Sequence, residues 1–188
     1  FISLLSITAP SKAQEFFNKH AQINPYHYTV VKEKAFDHAA VSSAHPLASM
    51  VGAAIMQDGG NAYDAAIAVQ FSLAVVFPGA GNIGGGGFMV YRKTNGETGA
   101  LDYREKAPTS ATKNMFLDKD GKIIKGKSTE SPLAIGIPGT IAGVFAVHKK
   151  LGTLPMSEIM KPVIELAEKG VIVTKKQEKS LNSYRETH

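Results

Sequence analysis

The sequence has 188 residues, 44% of them hydrophobic, which is long enough for a domain with its own core and too apolar for a disordered tail. Its formal charge of +5 comes from 21 Lys and Arg against 16 Asp and Glu, scattered in pairs such as Lys149-Lys150 and Lys175-Lys176 rather than gathered in an aromatic-studded basic stripe, so no nucleic-acid partner is expected. The absence of cysteine removes disulfides, thiolate zinc sites and cysteine nucleophiles, and leaves a hydroxyl, an amine or a carboxylate for any covalent chemistry.

Residues 1–9 form a short apolar run, and Ser11-Lys12-Ala13 follows with small residues at signal-peptidase spacing. Residues 1–13 are read as a truncated signal peptide, which implies a periplasmic or secreted protein. The run falls far short of the about 18 apolar residues that cross a bilayer, so no membrane span is expected. A polar leader occupies 14–37, and the body runs over 38–188.

In the body, Ala39-Ala40-Val41-Ser42-Ser43 is a strand candidate, and Pro46 suits a first helical turn. Leu47, Met50, Val51, Ala54 and Ile55 recur at helical spacing until Gly59-Gly60 stops them. Asn61 is placed to cap the next helix, with Asp64 in its first turn. Residues 65–77 are apolar on nearly every face before Pro78, which predicts a buried core helix, since Gln70 and Ser72 interrupt it and it is too short for a membrane.

Residues 88–92 and 99–103 alternate like strands around Thr94-Asn95-Gly96, the best hairpin signal in the chain. Lys119-Asp120-Gly121 marks a turn, and 135–138 is a short extended run. Ile141, Val144, Phe145 and His148 predict a third helix closed by Gly152. Ser157 is expected to cap a fourth ending at Lys169-Gly170, and 175–184 to begin a fifth. Without internal repeats or a low-complexity linker, the body reads as one domain or a piece of one.

Gly79-Ala80-Gly81-Asn82-Ile83-Gly84 matches the dinucleotide fingerprint, with Asp102 near the distance of a ribose-binding acid. The context is wrong, because that fingerprint follows a strand and opens a helix, whereas this one follows a helix and opens a strand. No Lys-Ser or Lys-Thr follows the glycines, which excludes a phosphate-binding loop. Gly84-Gly85-Gly86-Gly87 then stands where either tight packing or close approach of a ligand requires missing side chains. His38, His45 and His148 are too scattered for a metal site, and His45 before Pro46 reads as a capping residue. Arg104 lies just past the second strand and close to Pro108. Its planar fork suits a carboxylate, and the competing reading is an ion pair with Asp102 or Glu105.

Five strings stand in series: Gly59-Gly60-Asn61-Ala62-Tyr63-Asp64-Ala65-Ala66-Ile67-Ala68, Gly81-Asn82-Ile83-Gly84-Gly85-Gly86-Gly87-Phe88-Met89, Asp102-Tyr103-Arg104-Glu105-Lys106-Ala107-Pro108, Met115-Phe116-Leu117-Asp118, and Gly136-Ile137-Pro138-Gly139-Thr140 with Ala142-Gly143. In order and spacing they resemble the large subunit of the gamma-glutamyltransferases, over about residues 40–174. The resemblance implies an α+β fold, the N-terminal portion of an αββα N-terminal nucleophile hydrolase. It also implies an enzyme that is activated by autoproteolysis and moves the gamma-glutamyl group of glutathione and related compounds to water or an amino acid or peptide acceptor.

By the same resemblance Arg104 binds the alpha-carboxylate of the substrate. The nucleophilic threonine belongs to a small catalytic subunit from the same precursor, beyond His188, so no catalytic residue is expected in this chain, and Arg185-Glu186-Thr187-His188 does not look like that start. The chain alone is expected to be inactive. No cofactor and no metal are expected. Two alternatives stay open: a related acylase, either a cephalosporin acylase or a poly-gamma-glutamate depolymerase, and a non-catalytic interaction module pairing through a sheet edge.

Overall fold

The computed structural model describes residues 23–30, 35 and 37–187, so the expected signal segment and most of the leader lie outside the described residues. Two compact units emerge, one holding residues up to Gly81 together with those from Leu151 onward, the other Asn82–Lys150.

In the first unit, helix α1 (Pro46–Gln57) begins where the sequence indicates. His45 Nδ1 accepts the Leu47 N–H at 3.3 Å, and Pro46 occupies the first helical position, where its missing N–H costs nothing. Gly59 takes φ +93°, which lets the Gly60 N–H reach back to the Ile55 carbonyl at 2.9 Å and close the helix. Asn61 then starts α2 (Ala62–Val76) with a reciprocal capping box. Its side chain accepts from Tyr63 and Asp64 N–H at 2.8 and 3.0 Å, while Asp64 Oδ2 accepts the Asn61 N–H at 3.0 Å.

Helix α1 packs on α2, and α2 on a later helix, α4 (Met156–Lys169). Leu47, Val51 and Ile55 meet this core from α1, Ala65, Ala68 and Val76 from α2, and Ile159, Val163 and Leu166 from α4, all buried. The α4 set recurs at i, i+4 and i+7, the stripe of a helix with one wet face. Helix α5 (Lys175–Thr187) opens with a Thr174/Gln177 box and is tied to the end of α2 by Gln177 Nε2, which donates to the Val76 carbonyl at 3.0 Å.

Two expectations are corrected here. Ala39 to Ser43 forms no strand, because the described residues offer it no hydrogen-bonded neighbour and Ser43 instead donates its hydroxyl to the His45 carbonyl at 2.9 Å. Ser157 is not the cap of α4, which starts one residue earlier behind Pro155, itself held at φ −57° and ψ 141°. In that position the proline ring fixes the extended turn into the helix without any side-chain hydrogen bond.

Burial holds the His45 imidazole below its ordinary pKa of 6.5, so the folded protein favours the neutral ring that can accept from Leu47. A depressed folded value means that the unfolded chain takes up the proton first. The stability tied to His45 is therefore present above pH 6.5 and is lost as pH falls from there through the folded value. Denaturant midpoints at pH 7.5 and 5.5 should show a drop at the lower pH that shrinks in His45→Asn, a variant able to cap but not to titrate.

The second unit is built on the hairpin β1 (Phe88–Arg92) and β2 (Thr98–Asp102), antiparallel, with Phe88 opposite Asp102 and Val90 opposite Ala100. Its turn closes through the Gly96 N–H to the Lys93 carbonyl at 3.0 Å, with Gly96 at φ +87°. Gly96→Ala should cost about 1 kcal/mol because an L side chain is strained in that backbone region, a loss readable in thermal unfolding. Met89, Tyr91 and Leu101 turn to one side of the hairpin, whereas Phe88 and Val90, 63% and 84% exposed, stay on the other. Helix α3 (Thr140–Leu151) completes this part of the chain with buried Val144 and Val147.

Candidate functional site

The segment after β2 is held by backbone pairing on both sides. Gly87 and Tyr103 exchange N–H to carbonyl hydrogen bonds at 3.4 and 3.0 Å, and Lys106 and Ile137 do so at 3.2 and 2.8 Å. Between those pairs sits Arg104. Its own N–H donates to Asp102 Oδ1 at 2.9 Å, a local turn that fixes the backbone from which the guanidinium projects.

The four-glycine run is explained largely by packing. A Cβ on Gly86 would lie 2.7 Å from the Tyr103 carbonyl oxygen and 2.9 Å from Arg104 Cα, and one on Gly87 would lie 2.8 Å from the Tyr103 ring. Gly139 and Gly143 approach the same tyrosine from the start of α3, where a side chain at either position would overlap it. The Gly85 carbonyl accepts the N–H groups of Gly139 and Thr140 at 2.8 and 3.0 Å, and Asn82 Oδ1 accepts from the Gly85 N–H at 2.7 Å and the Thr140 hydroxyl at 3.3 Å. Thus the glycine loop closes the N-terminus of α3 and beds Tyr103; only Gly84 faces open space within this run. In a free helix Gly→Ala stabilises by up to about 1 kcal/mol. Gly143→Ala should reverse that sign and destabilise by about 1–3 kcal/mol, since Tyr103 fills the place of the new methyl; urea denaturation measures it.

Arg104 itself is open, its side chain 65% exposed. The ion pair foreseen as the competing reading forms with Glu105, whose Oε2 lies 3.3 Å from Nε, while Asp102 serves the backbone instead. That pair engages Nε alone, and among the described residues neither terminal NH2 group has a hydrogen-bond partner. The Phe88 ring centroid lies 5.9 Å from Cζ. A guanidinium so arranged can accept a planar anion on its outer edge.

Sequence reasoning did not place Phe88 beside Arg104, although the hairpin register makes them diagonal neighbours across the strands. It also did not foresee the tyrosine bed; the signal was the Gly139/Gly143 pair, four residues apart at the start of α3. The fingerprint at 79–84 proves to be a helix-to-strand loop, as its context requires. Among the described residues no group of three His, Asp or Glu side chains could hold a metal ion, and no helix is long and apolar enough to cross a membrane.

The sequence profile described as Gamma-glutamyltranspeptidase matches residues 48–188 and includes the glycine loop and Arg104. The chain belongs to the gamma-glutamyltranspeptidase family. It is 50% identical over 137 residues to a glutathione hydrolase proenzyme of Pseudomonas sp. (strain A14), covering 73% of this chain and 24% of that one. With the Escherichia coli (strain K12) glutathione hydrolase proenzyme the identity is 47% over 144 residues, 77% of this chain and 25% of the relative. The crystal structure of Helicobacter pylori gamma-glutamyltranspeptidase superposes with a TM-score of 0.78 at 51% identity, over 82% of this chain and 44% of that chain. The chain therefore spans about a quarter of the length of the curated relatives it matches. Its helices and small sheet give an α+β fold, the N-terminal portion of the N-terminal nucleophile hydrolase architecture of the gamma-glutamyltranspeptidases.

Proposed function

We propose that this chain is the amino-terminal part of a gamma-glutamyltransferase that cleaves glutathione and related gamma-glutamyl amides, and that Arg104 grips the alpha-carboxylate of the glutamyl group. The observation that carries the reading is Arg104 within the family-matched segment, its backbone fixed by Asp102 and its outer edge without a hydrogen-bond partner among the described residues. In this reading the described residues form one wall of the site, and the facing wall and the nucleophile come from the small subunit of the same precursor, partner to this chain.

The reaction is acyl transfer. A threonine hydroxyl, released by autoproteolysis, attacks the gamma carbonyl, and its proton passes by way of the threonine's own amine to the departing nitrogen. Water or an amino acid amine then takes the glutamyl group and restores the hydroxyl. Backbone N–H groups would hold the oxyanion of each tetrahedral intermediate. Arg104 contributes orientation: two parallel hydrogen bonds to the alpha-carboxylate fix where the gamma carbonyl sits. The expected periplasmic or secreted location rests on residues 1–13 and belongs to the same proposal.

The test compares gamma-glutamyl anilide with glutaryl anilide on the complete protein. Faster hydrolysis of the glutamyl compound supports a site for an amino acid head group. Preference for glutaryl anilide would move the protein to the acylases.

A further inference from the structure

We propose that Phe88 is a positioning residue for Arg104, a ring face against which the guanidinium is held so that its terminal NH2 groups stay aimed at the substrate carboxylate. The inference rests on the clamp reading of Arg104 and deepens it.

A long side chain that is 65% exposed has many rotamers, and a clamp must be confined to one. One contact fixes its backbone and two confine the side chain. Asp102 Oδ1 fixes the Arg104 backbone at 2.9 Å, Glu105 Oε2 takes Nε at 3.3 Å, and the Phe88 ring lies 5.9 Å from Cζ, within cation–π range. The register explains how they meet. Phe88 pairs with Asp102, and two residues on Arg104 returns to the same face of the hairpin. Behind the pair, Gly86 leaves room for the Arg104 backbone, since a Cβ there would lie 2.9 Å from Arg104 Cα.

The chemistry favours a ring over an aliphatic side chain. A cation over a π face is attracted to the ring while its N–H edge remains free for in-plane hydrogen bonds, and a bidentate carboxylate needs that edge. Glu105 alone would leave the guanidinium plane free to turn about the Nε contact. Phe88, 63% exposed in a hairpin whose opposite side carries Tyr91 and Leu101, thereby acquires a reason to stand on the wet face.

The experiment is steady-state kinetics of the complete protein with a gamma-glutamyl anilide, on Phe88→Leu, Phe88→Tyr, Arg104→Ala and the Phe88→Leu/Arg104→Ala double variant. Phe88→Leu should raise KM by about two- to five-fold with kcat unchanged, the size of an exposed cation–π contact. Phe88→Tyr, which keeps the ring, should restore KM, and in the Arg104→Ala background Phe88→Leu should add nothing. An unchanged KM in Phe88→Leu beside a large loss in Arg104→Ala would overturn the positioning role and leave the clamp standing. A Phe88→Leu effect that persists in full without Arg104 would also overturn it, as the mark of a role in folding. Full activity in Arg104→Ala would remove the clamp and this inference together.

Discussion

Asp64→Ala is expected to destabilise the protein by about 3 kcal/mol, well beyond the loss of a helix cap, which costs about 1 kcal/mol. The carboxylate is wholly buried and serves two elements at once. Oδ2 accepts the Asn61 N–H at 3.0 Å and so completes the capping box of α2. The same group accepts the Thr153 N–H at 3.0 Å, the Thr153 hydroxyl at 2.6 Å and the Leu154 N–H at 3.3 Å, and so holds the connection into α4. Hydrogen bonds to an ionised acceptor contribute about 1.5–3 kcal/mol, and their donors are left without that acceptor when it goes. Asp64→Asn should fall between, because its amide offers one acceptor oxygen and turns an NH2 group toward donors. Urea denaturation of the two variants gives the ranking. A loss of no more than a cap's worth in Asp64→Ala would show that the second set of bonds is idle.

Arg104→Ala in the complete protein should lower kcat/KM for glutathione by about one to two orders of magnitude, since a charge-assisted arginine-carboxylate contact is worth about 1.5–3 kcal/mol. Arg104→Lys should recover only part of this. It keeps the charge but loses the planar fork, so the carboxylate is attracted without being oriented. The pair with Glu105 would not compete with a bound carboxylate, because it occupies Nε and not the two terminal NH2 groups. Steady-state kinetics decides the matter, and an unchanged KM would withdraw Arg104 from the site.

The helix ends were legible in the sequence because their chemistry is local. His45, Asn61, Gly59-Gly60 and Gly170 each act within a turn of their own position, and each does in the structure what its type predicts. The hairpin was legible for the same reason, as Asn95-Gly96 carries its own backbone preference. Ala39 to Ser43 was misread because a strand is a property of a pair, and its composition could not say that no neighbour would be present among the described residues. Ser157 was misread because serine is a good cap, but Pro155 fixes the turn two residues sooner.

At the candidate site the sequence singled out Arg104 by its chemistry and its motif, yet both long-range features stayed hidden. The bed of Gly86, Gly87, Gly139 and Gly143 around Tyr103 joins segments about fifty residues apart. The double duty of Asp64 spans 89 residues to Thr153. An acid in the first turn of a largely apolar helix was the visible trace of that second partner, and burial turned it from a first-turn charge into a connection between helices.

The most direct measurement is the intact mass and N-terminal sequence of the polypeptides in the purified complete protein, before and after incubation, alongside gamma-glutamyl hydrolase activity. The account predicts a precursor that splits into two chains, the shorter one opening with threonine, and activity that appears with the split. Activity in a precursor that never splits, or a split that opens with another residue, would contradict it.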